Sequence, residues 1–282
     1  MQLGELNHFI RREYENNNIP EGDVESRVIL REVLSIDTAY LMAHSDKELS
    51  DDDCVRVKEI VSRRIMREPL QYILGKWNFM GLDFNVEKDV LIPRPDTEIL
   101  VEAAMQRLHD SMRVLDLCTG TGCILISLLN YSNDCTGTGV DISEKAINLA
   151  KHNATEILGS LDNINFVLAD LYEGAEGRYD LIVSNPPYIA TEVIDTLEPE
   201  VKEYEPHLAL DGGNDGLDLV RRIVSEANEY LVPGGHLMME IGYDQGSVTC
   251  ELMEAAGFIE VQCIKDYAGL DRVVVGTKSI LN

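Results

Sequence analysis

The sequence lacks several features that define whole classes of protein. Its 282 residues contain no apolar run of about 18 residues and no basic-then-apolar N-terminus, so we expect neither a membrane span nor a secretion signal. Basic residues are scarce, since 24 lysines and arginines face 50 aspartates and glutamates and give a net charge of −26. Such an acidic surface repels phosphate, which argues against nucleic acid as a direct partner.

The cysteine pattern also excludes a class of site. The six cysteines form no C-x-x-C pair and the six histidines are scattered singly, so no zinc-type cluster is expected. Reduced, mostly buried thiols in a cytoplasmic protein are the better interpretation. The length of 282 residues suits one core of about 200 residues with a small second domain, and a hydrophobic content of 45% is ordinary for a soluble protein.

The first 70 residues predict a small helical domain. Apolar residues such as Leu6 and Ile10 recur at helical spacing, residues 50–53 offer N-cap candidates for a helix through Arg67, and Pro69 ends that helix. That last helix carries a basic stretch at 56–67. The stretch is either a solvated helix face or a docking surface for an acidic partner.

Residues 71–92 predict a β-hairpin linker. Glycines separate short aromatic or β-branched runs at 72–74, 77–79 and 82–86. A stiff Pro93-Arg94-Pro95 segment follows, after which Asp96 is expected to cap a helix through about Leu108.

From residue 113 onward, strands and helices alternate. The predicted strands are 114–117, 137–141, 164–168, 181–184, 236–241, 258–263 and 272–276, and the helices are 123–131, 143–157, 217–231 and 245–256. Seven strands with interleaved helices predict an α/β fold with a mainly parallel, doubly wound sheet. The last two strands flank a short loop containing Gly269 and are candidates for antiparallel pairing.

A glycine loop follows the first strand of this sheet. The segment Asp116-Leu117-Cys118-Thr119-Gly120-Thr121-Gly122 precedes a helix, and Asp141 ends the next strand 19 residues after Gly122. A G-x-G pair alone is better explained by a tight turn. The combination with an acid that could accept ribose hydroxyls favours a cofactor with adenosine and no pyrophosphate, such as S-adenosylmethionine.

The segment Ser184-Asn185-Pro186-Pro187-Tyr188 follows the fourth strand and is the sharpest signal in the chain. Ligands of open α/β sheets bind beyond the carboxyl ends of strands, so this loop is expected beside the glycine loop. The Asn185 side-chain oxygen and the Pro186 carbonyl could accept both hydrogens of an NH₂ group, and Tyr188 could stack on a planar amide or base. The alternative is a rigid Pro-Pro turn with a packed tyrosine.

This arrangement resembles the N-P-P-Y methyltransferases, which methylate planar amino groups of adenine, cytosine or glutamine. Further segments look like the HemK/PrmC family of release-factor glutamine methyltransferases, namely those at 67–75, 91–98, 206–217, 239–242 and 266–272. The resemblance covers nearly the whole chain. It implies a helical substrate-docking domain at 1–70, a hairpin linker at 71–92 and a Rossmann-like catalytic domain at 93–282.

The resemblance also implies the reaction. A methyl group passes from S-adenosylmethionine, without a metal, to the N5 amide nitrogen of the glutamine in the Gly-Gly-Gln motif of class I peptide-chain release factors. We expect a cytoplasmic monomer. A glutamine methyltransferase acting on a ribosomal protein, an adenine-N6 nucleic-acid methyltransferase and a non-catalytic protein of the same fold remain alternatives.

The family pattern assigns site residues by position. The implied catalytic residues are Asn185, Pro186 and Tyr188, and the substrate site adds Pro187, Arg94 and Thr97. The implied cofactor residues are Cys118, Thr119, Gly120, Thr121, Gly122, Asp141, Asp170, Leu171 and Asn185. The chain departs from the family at Cys118, where glycine is usual, and at Leu171, where an aromatic residue is frequent; Tyr172 comes next. Glu240 lies near the predicted pocket without an assigned role.

Overall fold

A computed structural model describes residues 1–281 and divides the chain into two compact units. One unit comprises Met1–Gly75 and Glu198–Tyr204, and the other comprises Lys76–Leu197 and the chain from Glu205 onward. Within the described part of the chain, no helix is both long and apolar enough to cross a membrane.

Five helices and a β-hairpin come first, and helices are then interleaved with the strands of one sheet. In chain order the helices are α1 (Leu3–Asn16), α2 (Gly22–Leu34), α3 (Thr38–Ala43), α4 (Asp51–Ile65), α5 (Leu70–Leu74), α6 (Glu98–Met105), α7 (Cys123–Asn130), α8 (Glu144–Leu158), α9 (Thr191–Ile194), α10 (Pro199–Lys202), α11 (Asp218–Tyr230) and α12 (Gly246–Ala255). The strands are β1 (Lys76–Phe79), β2 (Leu82–Asn85), β3 (Arg113–Leu117), β4 (Thr136–Asp141), β5 (Ile164–Leu168), β6 (Tyr179–Ser184), β7 (Leu231–Glu240), β8 (Phe258–Lys265) and β9 (Asp271–Lys278).

The first unit is built from helices α1–α5 and α10. Helix α4 begins where the Ser50 hydroxyl accepts a hydrogen bond from the Asp53 backbone N–H at 3.1 Å, which confirms the predicted N-cap. Arg64 near its end is buried, and its guanidinium binds Glu25 at 2.9 Å and Glu200 at 2.8 Å. The solvated-face interpretation of the basic stretch is therefore wrong at Arg64.

Two local predictions, the strand at 72–74 and the helix capped by Asp96, are wrong. Residues 72–74 belong to α5 rather than to a strand, since Pro69 precedes the helix and Gly75, at φ +73°, ends it. The antiparallel pair β1–β2 follows. Asp96 does not cap a long helix, because Pro95–Thr97 form a short 3₁₀ turn before α6, and the Asp96 carboxylate binds Arg272 at 3.2 Å.

The seven predicted strands form one sheet in the order β5-β4-β3-β6-β7-β9-β8. Strands β3 to β7 run parallel, whereas β9 pairs antiparallel with both β7 and β8. The β8–β9 pairing confirms the prediction made from the Gly269 loop, and the β7–β9 pairing was not predicted. Strand β7 begins five residues before the predicted His236, because the segment at 233–235 extends the strand instead of forming a turn.

Each face of the sheet buries its own apolar core. Helices α6, α7 and α8 contribute to one core and α11 and α12 to the other, with alternate strand residues such as Ile182 and Val183 pointing to opposite sides. Strands β4 and β5 lie on one side of β3, whereas β6 and the later strands lie on its other side. A crevice for a ligand therefore opens at the carboxyl ends of these two neighbouring strands.

Candidate active site

The glycine loop lies between β3 and α7 and is held by two acidic side chains. The Thr119 hydroxyl donates to Asp116 at 2.6 Å, and the Gly120 backbone N–H donates to Asp141 Oδ2 at 2.9 Å. Gly122 adopts φ +80°, and a Cβ there would lie 2.8 Å from the Ile126 side chain, so the turn requires glycine at this position.

Cys118 occupies the position where the family usually has glycine, and its φ of +59° lies in the left-handed region. An L-residue pays a steric cost there that glycine avoids. Its thiol is free, and burial together with the neighbouring Asp141 and Asp116 raises the pKa of this thiol. The thiol therefore stays protonated and is a poor nucleophile at neutral pH.

We expect Cys118→Gly to stabilise the protein by up to ~1 kcal/mol. Relief of the left-handed strain contributes ~1–2 kcal/mol, and the greater backbone entropy of unfolded glycine offsets about half of that gain. Urea unfolding of the two proteins measures the difference. Cys118→Ala keeps the strain while removing the thiol, so a gain in that variant as large as in glycine would contradict the backbone explanation.

Asp116, on β3, is fully buried, and its Oδ1 makes no hydrogen bond within residues 1–281. Burial raises the pKa of Asp116 to about 7, with the Asp141 carboxylate adding to the rise. In the unfolded chain the same carboxyl has its usual pKa of 3.8. Between pH 3.8 and about 7 it is therefore mostly ionised in the unfolded chain and mostly protonated in the folded protein, so a rise in pH favours the unfolded state.

The unfavourable ionisation of buried Asp116 should make the free energy of unfolding depend on pH. We expect the free energy of unfolding of Asp116→Asn to exceed that of the parent by an amount that is near zero at pH 4 and grows up to pH 7. It should reach a few kcal/mol at pH 8, since one pKa unit corresponds to about 1.4 kcal/mol. Urea unfolding at several pH values measures this, with the exposed Asp162→Asn as the control. A difference that does not vary with pH would contradict it.

Asp141 ends β4, the strand beside β3. Its Oδ1 accepts the Ser143 backbone N–H at 2.9 Å, while Oδ2 accepts the Gly120 N–H. Burial raises the pKa of Asp141, and these backbone donors oppose the rise. The carboxylate therefore connects the strand end to the glycine loop, and each oxygen retains acceptor capacity for a ligand.

The second loop follows β6 and lies directly against the first. Leu117 and Ser184 are register partners, and the Ser184 hydroxyl donates to the Leu117 carbonyl at 2.8 Å. The Asn185 amide Nδ2 donates to Thr97 Oγ1 at 3.2 Å, while its Oδ1 makes no hydrogen bond among residues 1–281. The Tyr188 hydroxyl donates to Glu240 at 3.1 Å, and burial raises its pKa further above the usual value.

These loops border a cavity of about 430 Å³. Eleven of the residues assigned by sequence line it: Arg94, Thr97, Cys118, Thr119, Gly120, Thr121, Asp141, Asp170, Leu171, Asn185 and Pro187. Gly122, Pro186 and Tyr188 do not. The cavity volume falls within the range of about 300–1,000 Å³ typical of small-molecule sites.

Leu171 and Tyr172 have different surroundings. Leu171 lines the cavity at φ +47°, whereas Tyr172 is buried, stacks on Tyr230 and donates its hydroxyl to the Ile223 carbonyl at 3.0 Å. Of the two, Leu171 is the one placed to contact a ligand.

Sequence reasoning missed several lining contacts. Arg222 donates to Asp170 at 2.9 Å, and Arg94 binds the buried Glu205, whose other oxygen accepts the Ile92 backbone N–H at 3.4 Å. Arg222 gave only the weak signal of a cation on an amphipathic helix. Glu205 precedes a proline in a loop and gave none.

A glycine loop and an asparagine-proline loop at the carboxyl ends of adjacent parallel strands, in a sheet of this order, define an α/β methyltransferase. Residues 5–75 match the PrmC N-terminal domain, and residues 95–213 match the methyltransferase small domain. A methyltransferase structure from Pyrococcus furiosus shares the fold, with a TM-score of 0.55 and 19% identity, covering 82% of this chain and all of that one.

Two curated relatives specify the family. The release factor glutamine methyltransferase of Geobacter sulfurreducens is 44% identical over 254 residues, covering 90% of this chain and 88% of that protein. That of Fusobacterium nucleatum is 40% identical over 269 residues, covering 94% and 75%. The chain belongs to the release factor glutamine methyltransferase family.

Proposed function

We propose that the protein transfers a methyl group from S-adenosylmethionine to N5 of the glutamine in the Gly-Gly-Gln motif of class I release factors. The observation that carries the proposal is the free Oδ1 of Asn185 in the cavity that the glycine loop also lines. Family membership supports the substrate, because curated relatives are named for release factors.

The cavity suits a methyl donor that contains adenosine and a positive sulfonium. Its lining includes the carboxylates of Asp89, Asp141, Asp170, Asp211 and Asp218. The two lining arginines each bind a carboxylate, so the lining keeps an excess of negative charge. Asp141 and the glycine loop would hold the ribose, and Leu171 would pack on the adenine.

Asn185 supplies the chemistry of the acceptor side. An amide nitrogen is a weak nucleophile because its lone pair is delocalised into the carbonyl. Asn185 Oδ1 and the Pro186 carbonyl would accept its two N–H bonds, raising electron density on nitrogen and fixing its direction of attack. S-adenosylmethionine supplies an already activated methyl group. The nitrogen exchanges one hydrogen for the methyl, and that proton leaves to solvent.

Arg94, Thr97, Pro187 and Tyr188 complete the proposed substrate site. Arg94 and Thr97 line the cavity, whereas Pro186 and Tyr188 do not. Contacts to those two residues require the substrate amide to reach past the surface that Asn185 and Pro187 form. Tyr188 would stack on that amide through the face of its ring, since its hydroxyl is engaged with Glu240.

We further propose a division of labour along the chain. Residues 1–70 would dock the release factor, 71–92 would link the domains, and 93–282 would carry out methyl transfer. The protein would act as a monomer in the cytoplasm, where release factors function, without binding nucleic acid directly or using a metal.

A methyl-transfer assay with labelled S-adenosylmethionine tests the proposal. A purified class I release factor, a ribosomal protein mixture and DNA are offered in parallel, and the labelled residue is mapped by mass spectrometry. We expect label on the Gly-Gly-Gln glutamine alone. Label on a ribosomal protein or on DNA would retain methyl transfer and overturn the substrate.

A further inference from the structure

Gln245 is buried immediately before α12, and both ends of its side-chain amide are hydrogen-bonded. Its Oε1 accepts the Gly242 backbone N–H at 2.9 Å, while its Nε2 donates to the Tyr188 carbonyl at 2.9 Å and to the Gly216 carbonyl at 3.3 Å. A side-chain amide has two N–H donors, and these two carbonyls account for both. The partners therefore fix which end of the amide faces which loop.

These hydrogen bonds join three segments that are distant in the chain. Tyr188 follows β6 and lies 57 positions from Gln245, and Gly216 precedes α11 and lies 29 positions from it. Gly242 belongs to the connection between β7 and α12. Gln245 does not line the cavity, so its link to the proposed active site is through the backbone that it binds.

The turn at 211–216 packs so closely on the loop after β6 that it requires glycine at two positions. A Cβ at Gly216, where φ is +74°, would lie 2.3 Å from the Tyr188 carbonyl oxygen. A Cβ at Gly212 would lie 2.7 Å from the Pro187 carbonyl oxygen. The absence of side chains lets the two backbones approach, and the buried amide then connects them.

Tyr188 is held at both ends by the connection between β7 and α12. Its hydroxyl donates to Glu240, the last residue of β7, at 3.1 Å, and its carbonyl accepts from Gln245. The ring cannot shift without breaking one of these bonds. Proline fixes φ at positions 186 and 187, so few free backbone dihedrals separate the Pro186 carbonyl from the anchored Tyr188 carbonyl.

We propose that Gln245 positions the loop after β6 for methyl transfer. Its amide holds the Tyr188 carbonyl and thereby sets the direction of the Pro186 carbonyl and of the Tyr188 ring toward the substrate amide. This inference rests on the proposed function, in which those two groups bind the glutamine side chain. Gln245 is a positioning residue, since it lies outside the cavity and acts through Tyr188.

Two variants separate the hold on Tyr188 from the bond to the Gly242 N–H. Gln245→Met loses both, whereas Gln245→Glu keeps an acceptor for Gly242 and, at pH 9, presents a carboxylate oxygen to the Tyr188 carbonyl. We expect kcat for release-factor methylation to fall about 10- to 100-fold in both variants, because small displacements of reacting groups cost that much. Affinity for S-adenosylmethionine should change less than about threefold, since the cofactor loop is untouched.

The Tyr188 carbonyl can be observed directly by NMR. The sequence Tyr-Ile occurs twice, at 72–73 and 188–189, so ¹³C in tyrosine carbonyls and ¹⁵N in isoleucine amides give two correlated signals. Tyr188→Phe assigns one of them by its loss. We expect the Tyr188 carbonyl signal to move to lower ¹³C frequency in both Gln245 variants, as carbonyl carbons do on losing a hydrogen bond, while the Tyr72 signal stays in place.

Gln262→Met is the matched control, because Gln262 is exposed on β8 and does not line the cavity. It should leave kcat and both carbonyl signals unchanged. If the parent methylates no release factor while the Tyr188 signal shifts as expected, the proposed function fails and the hold on Tyr188 stands. Parent-like kcat in Gln245→Glu would overturn the inference and leave the proposed function intact, and an unshifted Tyr188 signal would overturn it whatever the activity.

Discussion

Asn185→Ala is expected to lower kcat for release-factor methylation by about two to three orders of magnitude. The variant loses the oxygen that accepts a substrate N–H in the transition state, and a single preorganised partner of this kind is worth that much in other enzymes. The side chain lines the cavity and its Nδ2 is held by Thr97, so the acceptor is positioned before substrate binds.

The effect should fall on chemistry rather than on cofactor binding. We expect the affinity for S-adenosylmethionine, measured by calorimetry, to change less than about threefold, because the glycine loop and Asp141 remain intact. Asn165→Ala is the control, since Asn165 is exposed on β5 and does not line the cavity. Equal loss of affinity and of kcat would indicate a collapsed pocket, and normal turnover would refute the role of Asn185.

Strands such as β3, β6 and β9 could be predicted because they are largely buried runs rich in apolar residues and bounded by turn residues. The strand-end rule then placed the glycine loop and the Asn185 loop together, and the register pair of Leu117 and Ser184 confirms their adjacency. The strand prediction at 72–74 was wrong because a short β-branched and aromatic run also occurs in a half-buried helix. There, Pro69 and Gly75 were better indicators than composition.

Contacts between residues far apart in the chain could not be predicted from the sequence. Arg94 and Glu205 are separated by 111 positions, and nothing local identifies them as a pair. Glu240 could be placed near the pocket from its position at a strand end, yet its hydrogen bond with Tyr188 joins residues that are 52 positions apart. One sequence contains no record of such pairings, whereas the folded chain fixes them by packing.

Asp141→Ala is expected to weaken binding of S-adenosylmethionine about 10- to 100-fold, the range for losing hydrogen bonds to a charged group. Two separate losses contribute. The carboxylate holds the Gly120 and Ser143 backbone N–H groups, each at 2.9 Å, and it is also proposed to accept ribose hydroxyls. The exposed Asp162→Ala serves as the control, and calorimetric titration gives the affinities.

A cycle with modified cofactors separates these two contributions. The 2′-deoxy and 3′-deoxy forms of S-adenosylhomocysteine lack one ribose hydroxyl each. If Asp141 binds the ribose, the parent should bind these analogues more weakly than the full compound, and Asp141→Ala should bind all three almost equally. If the variant discriminates as strongly as the parent, Asp141 acts only by holding the glycine loop, and its assignment to the ribose is wrong.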